Sequence, residues 1–246
     1  MTDPSHAPPS WSDIAAWYDG LVVSGSGPHE TAVSSTLRLA GEITGQHVLD
    51  IACGQGLAAR ALARAGAASV RGVDSSPQMI EIARRHEDAQ PLGIEYVLED
   101  AQTLASLPAG HFDGANCQLG LMDIPDLGAT LSALRRVLRP AGWFVFVVGH
   151  PCFLTPDATT LVTQDGSPGR LVSGYFKERF WRSSNPEGVR RAGNHHRTLS
   201  TYVNSLIHAG FVIDAVEEPL PTARLAAQQP EYAEVPIFWG TRAHLA

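Results

Sequence analysis

Cysteine is scarce in this 246-residue chain: Cys53, Cys117 and Cys152 are odd in number and widely spaced. That argues against a disulfide framework and a Cys-x-x-Cys metal site, so no metal is expected and a reducing cytoplasm fits. Positive charge is also short, with 18 Lys and Arg against 25 Asp and Glu and a formal net charge of −7. No basic footprint for a phosphate backbone results, and no nucleic-acid partner is expected, although residues 179–197 are locally rich in Arg and His. No window reaches the roughly 18 uncharged apolar residues of a membrane span, so no membrane partner is expected either. Met1–Ser12 carries Pro4, Pro8 and Pro9 without a basic or apolar signal segment and reads as a short disordered N-terminus. Internal repeats and low-complexity tracts are absent.

What is present is a rhythm. Short apolar runs alternate with helical spacings: strands over 47–51, 69–73, 94–98, 112–118 and 143–148, helices over 57–65, 77–85 and 127–138. Such alternation predicts right-handed βαβ crossovers and a parallel sheet. The run Trp143–Val148 is continuously apolar, as suits a strand covered on both faces, and Pro140-Ala141-Gly142 reads as the turn leading into it. Helices are expected at 11–20 with Ser12 as N-cap, at 31–40 and at 199–209, with Gly210 ending the last. A loop spans 23–28. The polar stretch 99–109 reads as a loop rather than a crossover helix. Two more strands are expected at 211–216 and 236–241, joined by a helix over 222–232; that link is too short to fix the direction of the last strand, and an antiparallel edge is common in such sheets. The fold class is therefore α/β: a doubly wound, mostly parallel seven-stranded sheet with an antiparallel last strand. Residues 149–197 interrupt the rhythm after the fifth strand and read as a lid.

The chemistry concentrates at strand ends. In Val48-Leu49-Asp50-Ile51-Ala52-Cys53-Gly54-Gln55-Gly56 a strand stops at an acid and breaks into a glycine turn. The dinucleotide fingerprint has a third glycine where this chain has Ala59, and an acid there suits a cationic amine better than a pyrophosphate. Asp74 ends the second strand, where a carboxylate accepts from both hydroxyls of a ribose. Glu99-Asp100-Ala101 follows the third, where a carboxylate and a backbone amide can read an adenine edge. Taken singly, Asp74 could cap the helix starting at Pro77, Asp100 could cap a turn, and Met79 could be core.

Three acids at three successive strand ends, with VLDIACGQG, GVDSS, LEDAQ, FDGANCQLGL and LRPAGWFVFVV in this order, resemble the class I S-adenosylmethionine-dependent methyltransferase family. The resemblance covers residues 48–148 by motif and the rest by element order. It implies S-adenosyl-L-methionine as cofactor, with Asp50 and the backbone of Ala52, Cys53, Gly54 and Gly56 holding its methionine moiety and Asp74 its ribose. Ser75 or Met79 would pack on the adenine, Asp100 and Ala101 would meet its amino edge, and Gln118 and Leu119 would line the methionine end. Tyr18, in Ala15-Ala16-Trp17-Tyr18-Asp19, either closes over the cofactor or packs on the core. Cys53 reads as a filler rather than a nucleophile. One domain is expected, with N-terminal helices (1–45), a cofactor-binding core (46–148), a lid and substrate insert (149–197) and a C-terminal part (198–246).

Acceptor groups should come from the loops beyond the fourth and fifth strands and from the lid, which points to Met122 and Asp123. A small-molecule acceptor, aromatic or secondary-metabolite-like and methylated at oxygen, nitrogen or carbon, suits the lid aromatics Tyr175, Phe176 and Trp181, with Trp17 nearby in sequence; these could equally form the lid's own small core. His150, His195 and His196 are the candidate bases. Alternatively His150 holds the chain as it leaves the sheet and the pair faces solvent. A homodimer is compatible with the sequence. The competing function is a protein of this fold that binds the cofactor without methyl transfer, as a cyclisation or elimination enzyme or a regulatory binder; a dehydrogenase is the weaker third.

Overall fold

The computed structural model describes residues 9–246. Chain order gives β1 (His47–Ile51), β2 (Ser69–Asp74), β3 (Glu95–Leu98), β4 (Phe112–Gln118), β5 (Leu138–Gly149), β10 (Phe211–Glu217) and β11 (Phe238–Leu245) in one sheet ordered β10-β11-β5-β4-β1-β2-β3. The pairs among β1 to β5 are parallel, whereas β11 is antiparallel to both of its neighbours. The expected doubly wound sheet with a reversed last strand is the one observed.

β5 shows why a continuous apolar run means burial on both faces. Side chains alternate across a strand, so Phe144, Phe146 and Val148 enter one core with Leu131, Leu134, Tyr202 and Leu206. Trp143 and Val145 enter the other with Leu39, Leu62 and Ile80. The helices α3 (Leu57–Arg64), α4 (Pro77–Ala89), α5 (Leu127–Val137) and α6 (Leu199–His208) flank the sheet. The 140–142 turn lies inside β5 as an irregularity: Ala141 takes a positive φ of 60°, and the β4–β5 register shifts between Phe112 and Gly114.

Several boundaries moved for local reasons. α1 (Trp11–Val23) is capped by Ser10, not Ser12, because Ser10 and Asp13 form a reciprocal capping box. Of the stretch 1–12 expected to be disordered, residues 10–12 form the cap and first turn of this helix, and residues 1–8 lie outside the described residues. α2 (Gly27–Ala40) begins four residues before the expected Thr31, since Pro28 is well placed in a first turn. The expected helix over 222–232 breaks into α7 (Ala223–Gln228) and a 3₁₀ turn at Pro230–Ala233. Pro230 holds Gln229 extended (φ −141°, ψ 77°) and lacks an N–H.

The insert has structure of its own: two antiparallel pairs, β6 (Thr159–Val162) with β7 (Pro168–Leu171), and β8 (Arg179–Trp181) with β9 (Asn194–His196). A 3₁₀ turn, Val189–Ala192, precedes β9. α1 lies between the insert and α4: Ser12 and Asp19 bond Ser76 and His86 around α4, while Arg191 of the insert stands 3.8 Å over the Trp17 ring.

Candidate functional site

A cavity of about 320 Å³ opens beyond the carboxyl ends of β1 to β4. Its wall includes Asp50, Ala52, Cys53 and Gly54 from the first turn, Asp74, Ser75 and Met79 from the second, and Asp100 and Ala101 from the third. Gln118 and Leu119 close it beside Tyr18. Of the residues expected at a cofactor, Gly56 alone is not on this wall. It stands behind it as the left-handed residue opening α3 (φ 89°), where a Cβ would strike the Tyr96 hydroxyl. Ala52 (φ 49°) and Leu119 (φ 56°) are also left-handed, an uncommon state for residues with a Cβ that clusters at working sites.

The electrostatics suit an ammonium group. Asp50 is 1% exposed; its Oδ1 accepts from Asn116 Nδ2 at 2.6 Å, and its Oδ2 is buried without a hydrogen-bond partner among the described residues. Burial raises its pKa to about 7. An unpaired buried carboxyl oxygen is costly unless a donor reaches it, and the amino group of an adenosyl amino acid is such a donor. Asp74 accepts from Gly54 N–H (2.9 Å) and Ser76 N–H (2.8 Å), so it fixes the glycine turn and still has lone pairs for ribose hydroxyls. Ser76, not Asp74, caps α4. Asp100 binds Gln102 N–H at 2.9 Å, shaping the loop around Ala101. The residues present fit the cofactor.

A second cavity, about 420 Å³, lies against the first. Trp11, Tyr18, His29, Leu119 and Asp123 line both. Tyr18 Oη and His29 Nε2 are 2.8 Å apart, and His29 Nδ1 meets Ser26 Oγ at 2.7 Å. Burial lowers His29 to about 4, so its ring is neutral near pH 7. Burial also raises the Tyr18 hydroxyl and holds Asp123 well above the usual carboxylate range.

Of the residues expected at the acceptor, Met122, Asp123 and Trp181 line the second cavity, and Trp17, Tyr175 and Phe176 line neither. Trp17 is covered by Arg191, the Tyr175 hydroxyl accepts from Leu199 N–H at 3.0 Å, and Phe176 is 88% exposed. The three candidate bases also lie off both cavities. The His150 Nδ1 accepts from Cys152 N–H (3.2 Å) and its Nε2 faces Glu218 at 2.8 Å, so the ring holds the chain as it leaves β5. His196 Nε2–H donates to the Tyr175 carbonyl at 2.7 Å. His195 packs on Phe180, ring centroids 5.0 Å apart. His29 was not anticipated; no motif marks it, because its partner Tyr18 lies on another helix.

A reversed seventh strand and three acids on successive strand ends define a class I methyltransferase-type protein. Residues 49–146 match the family described as "Methyltransferase domain". The chain is 35% identical over 108 residues to the ubiquinone biosynthesis O-methyltransferase of Bordetella avium (strain 197N), covering 44% of each chain. It is 35% identical over 104 residues to the protein of that name from Thiobacillus denitrificans (strain ATCC 25259 / T1), covering 42% of this chain and 44% of that one. These matches span less than half the length of the curated relatives. An S-adenosylmethionine-dependent methyltransferase from Mesorhizobium loti superposes with a TM-score of 0.72 at 29% identity, over 90% of this chain and 99% of that one. Residues 49–146 thus carry a methyltransferase domain, and the chain shares the fold of S-adenosylmethionine-dependent methyltransferases.

Proposed function

We propose that this protein transfers a methyl group from S-adenosylmethionine to a hydroxyl of a small-molecule acceptor held in the second cavity. The observation that carries the reading is the shared wall: one cavity with a donor set for an adenosyl amino acid meets another across Trp11, Tyr18, His29, Leu119 and Asp123. Names of the curated relatives support oxygen as the acceptor atom.

Asp50 would bind the amino group of the cofactor through Oδ2, Asp74 the ribose hydroxyls, and Asp100 with Ala101 the adenine edge, with Met79 against its face. When bound, the sulfonium supplies a methyl group that is already activated, so the chain's task is alignment and proton removal. Tyr18 and His29 suit the latter. With His29 Nδ1–H donating to Ser26 Oγ, Nε2 accepts the Tyr18 proton, and Tyr18 Oη presents lone pairs toward an acceptor hydroxyl. The acceptor proton passes to Tyr18 Oη as the Tyr18 proton moves to His29 Nε2.

The test is incubation with methyl-deuterated S-adenosylmethionine and a panel of phenols and enols, read by mass spectrometry. Label should appear on an acceptor with matching release of S-adenosylhomocysteine. Cofactor that binds but keeps its methyl while another product forms would replace this reading with the cyclisation or elimination alternative.

A further inference from the structure

The second cavity carries positive charge that no direct ion pair answers among the described residues. Arg190, on the 3₁₀ turn before β9, lines it, and its guanidinium has no hydrogen-bond or ion-pair partner among the described residues. The Trp181 ring lies beneath it, 5.6 Å from the guanidinium carbon to the centroid. Gly149, the last residue of β5, makes room on the other side: a Cβ there would sit 2.9 Å from Arg190 Nη2. Arg170 of β7 joins it on the wall. Its Nε donates to the Phe153 carbonyl at 2.9 Å, and its guanidinium lies 5.5 Å from the centroid of Tyr232.

A guanidinium stays protonated in a protein and presents its N–H donors as a planar fork. Two of them on one wall repel, and while Arg170 also donates to Thr160 Oγ1 and Tyr232 Oη, both at 3.4 Å, the donors of Arg190 stay unsatisfied. Asp123 is the acid on that wall, but it makes no direct ion pair with Arg190 and lies on the seam shared with the cofactor cavity. His29 on the same seam is uncharged. Neither Arg170 nor Arg190 lines the first cavity, so the positive groups stand away from the junction and the proton-handling groups stand at it. One flat acceptor can span this arrangement with an anion at one end and a nucleophile at the other.

We propose that the acceptor is a carboxylic acid, whose carboxylate is bound by Arg190 with Arg170 beside it while its hydroxyl faces Tyr18 and His29. A carboxylate matches one guanidinium fork in a bidentate pair. The apolar middle of the acceptor lies among Leu119, Leu154, Trp181 and Phe238. This assignment rests on the methyl-transfer reading for the hydroxyl, but not for the carboxylate.

The experiment is calorimetry on the full chain saturated with S-adenosylhomocysteine, using matched pairs: benzoate and benzamide, phenylacetate and phenylacetamide, 3-phenylpropanoate and 3-phenylpropanamide. At least one acid should bind tenfold or more tightly than its amide. Arg190→Met should abolish that preference and Arg190→Lys should keep part of it, both with unchanged S-adenosylhomocysteine affinity. Equal binding of acid and amide in every pair, or a preference that survives Arg190→Met, overturns the proposal. Should Arg190→Met not fold, the wild-type pairs together with Arg190→Lys decide it, an undiminished preference in the lysine variant counting against. Arg190-dependent acid binding without any methylated product would leave this proposal standing and defeat the transfer reading. Methylation of neutral acceptors alone would do the reverse.

Discussion

At the residue scale, Asp50 is the group most exposed to test. Folded, it keeps its proton to about pH 7; unfolded, a carboxyl releases it near 4. Between those values the folded state binds the extra proton, so without cofactor the stability contribution of Asp50 is full below about pH 4 and is lost as pH rises through 7. Asp50→Asn should therefore melt higher than the wild type at pH 8, by a margin that vanishes toward pH 4. Affinity for S-adenosylhomocysteine should climb with pH by up to about tenfold per unit and level off above about 7, since the carboxylate must ionise to pair with an ammonium. Calorimetry across pH would show that slope, and Asp50→Asn should lack it. The Tyr18–His29 pair has a different signature. Tyr18→Phe and His29→Gln should each lower kcat about 100-fold or more, within the range of general base catalysis, while cofactor affinity changes less than about fivefold.

At the element scale, the first turn does two jobs. Gly56 begins α3 from a left-handed backbone, and the Tyr96 ring occupies the space a side chain would need. Gly56→Ala should cost about 1–2 kcal/mol for the backbone alone and more for displacing Tyr96, lowering Tm by at least several degrees and weakening cofactor binding. This part of the molecule was legible in sequence because it is local. An acid, a glycine turn and a helix follow one another within twenty residues, and the alternation of strand-like and helical runs marks β1 through β5 without reference to anything distant. The insert over 149–197 was legible as an interruption, but its internal structure was not. The outer pair β6–β7 is largely exposed at Thr159, Thr160, Val162 and Leu171, so no apolar period announced it. The histidines beside the fifth strand and before α6 drew attention through proximity in sequence, yet His150 and His196 spend their ring nitrogens on Glu218, Cys152 and Tyr175.

For the whole molecule, ligand linkage gives the simplest readout. A cofactor that binds only the folded state at 100 times its Kd adds about 2.7 kcal/mol. For a chain of this length that should raise Tm by roughly 5–10 °C in saturating S-adenosylhomocysteine, measured by differential scanning fluorimetry. No rise would mean the first cavity does not take the adenosyl amino acid. The second cavity was foreseen only at Met122, Asp123 and Trp181, because Tyr18, His29, Asp123, Arg170, Arg190 and Tyr232 come from six separate segments that the fold brings to one wall.

That division of labour has a consequence for descent. Every residue lining the first cavity precedes position 126, whereas the second draws Leu154, Arg170, Trp181, Arg190 and Asn194 from the insert. The insert is tied down at both ends, by His150 N–H to the Ile237 carbonyl and by Arg197 to the carbonyls of Leu121, Ile124 and Pro125. Residues 149–197 can thus drift or be exchanged as one cassette between fixed anchors. New acceptors are then open to such a lineage while its adenosyl-binding half stays under the same selection.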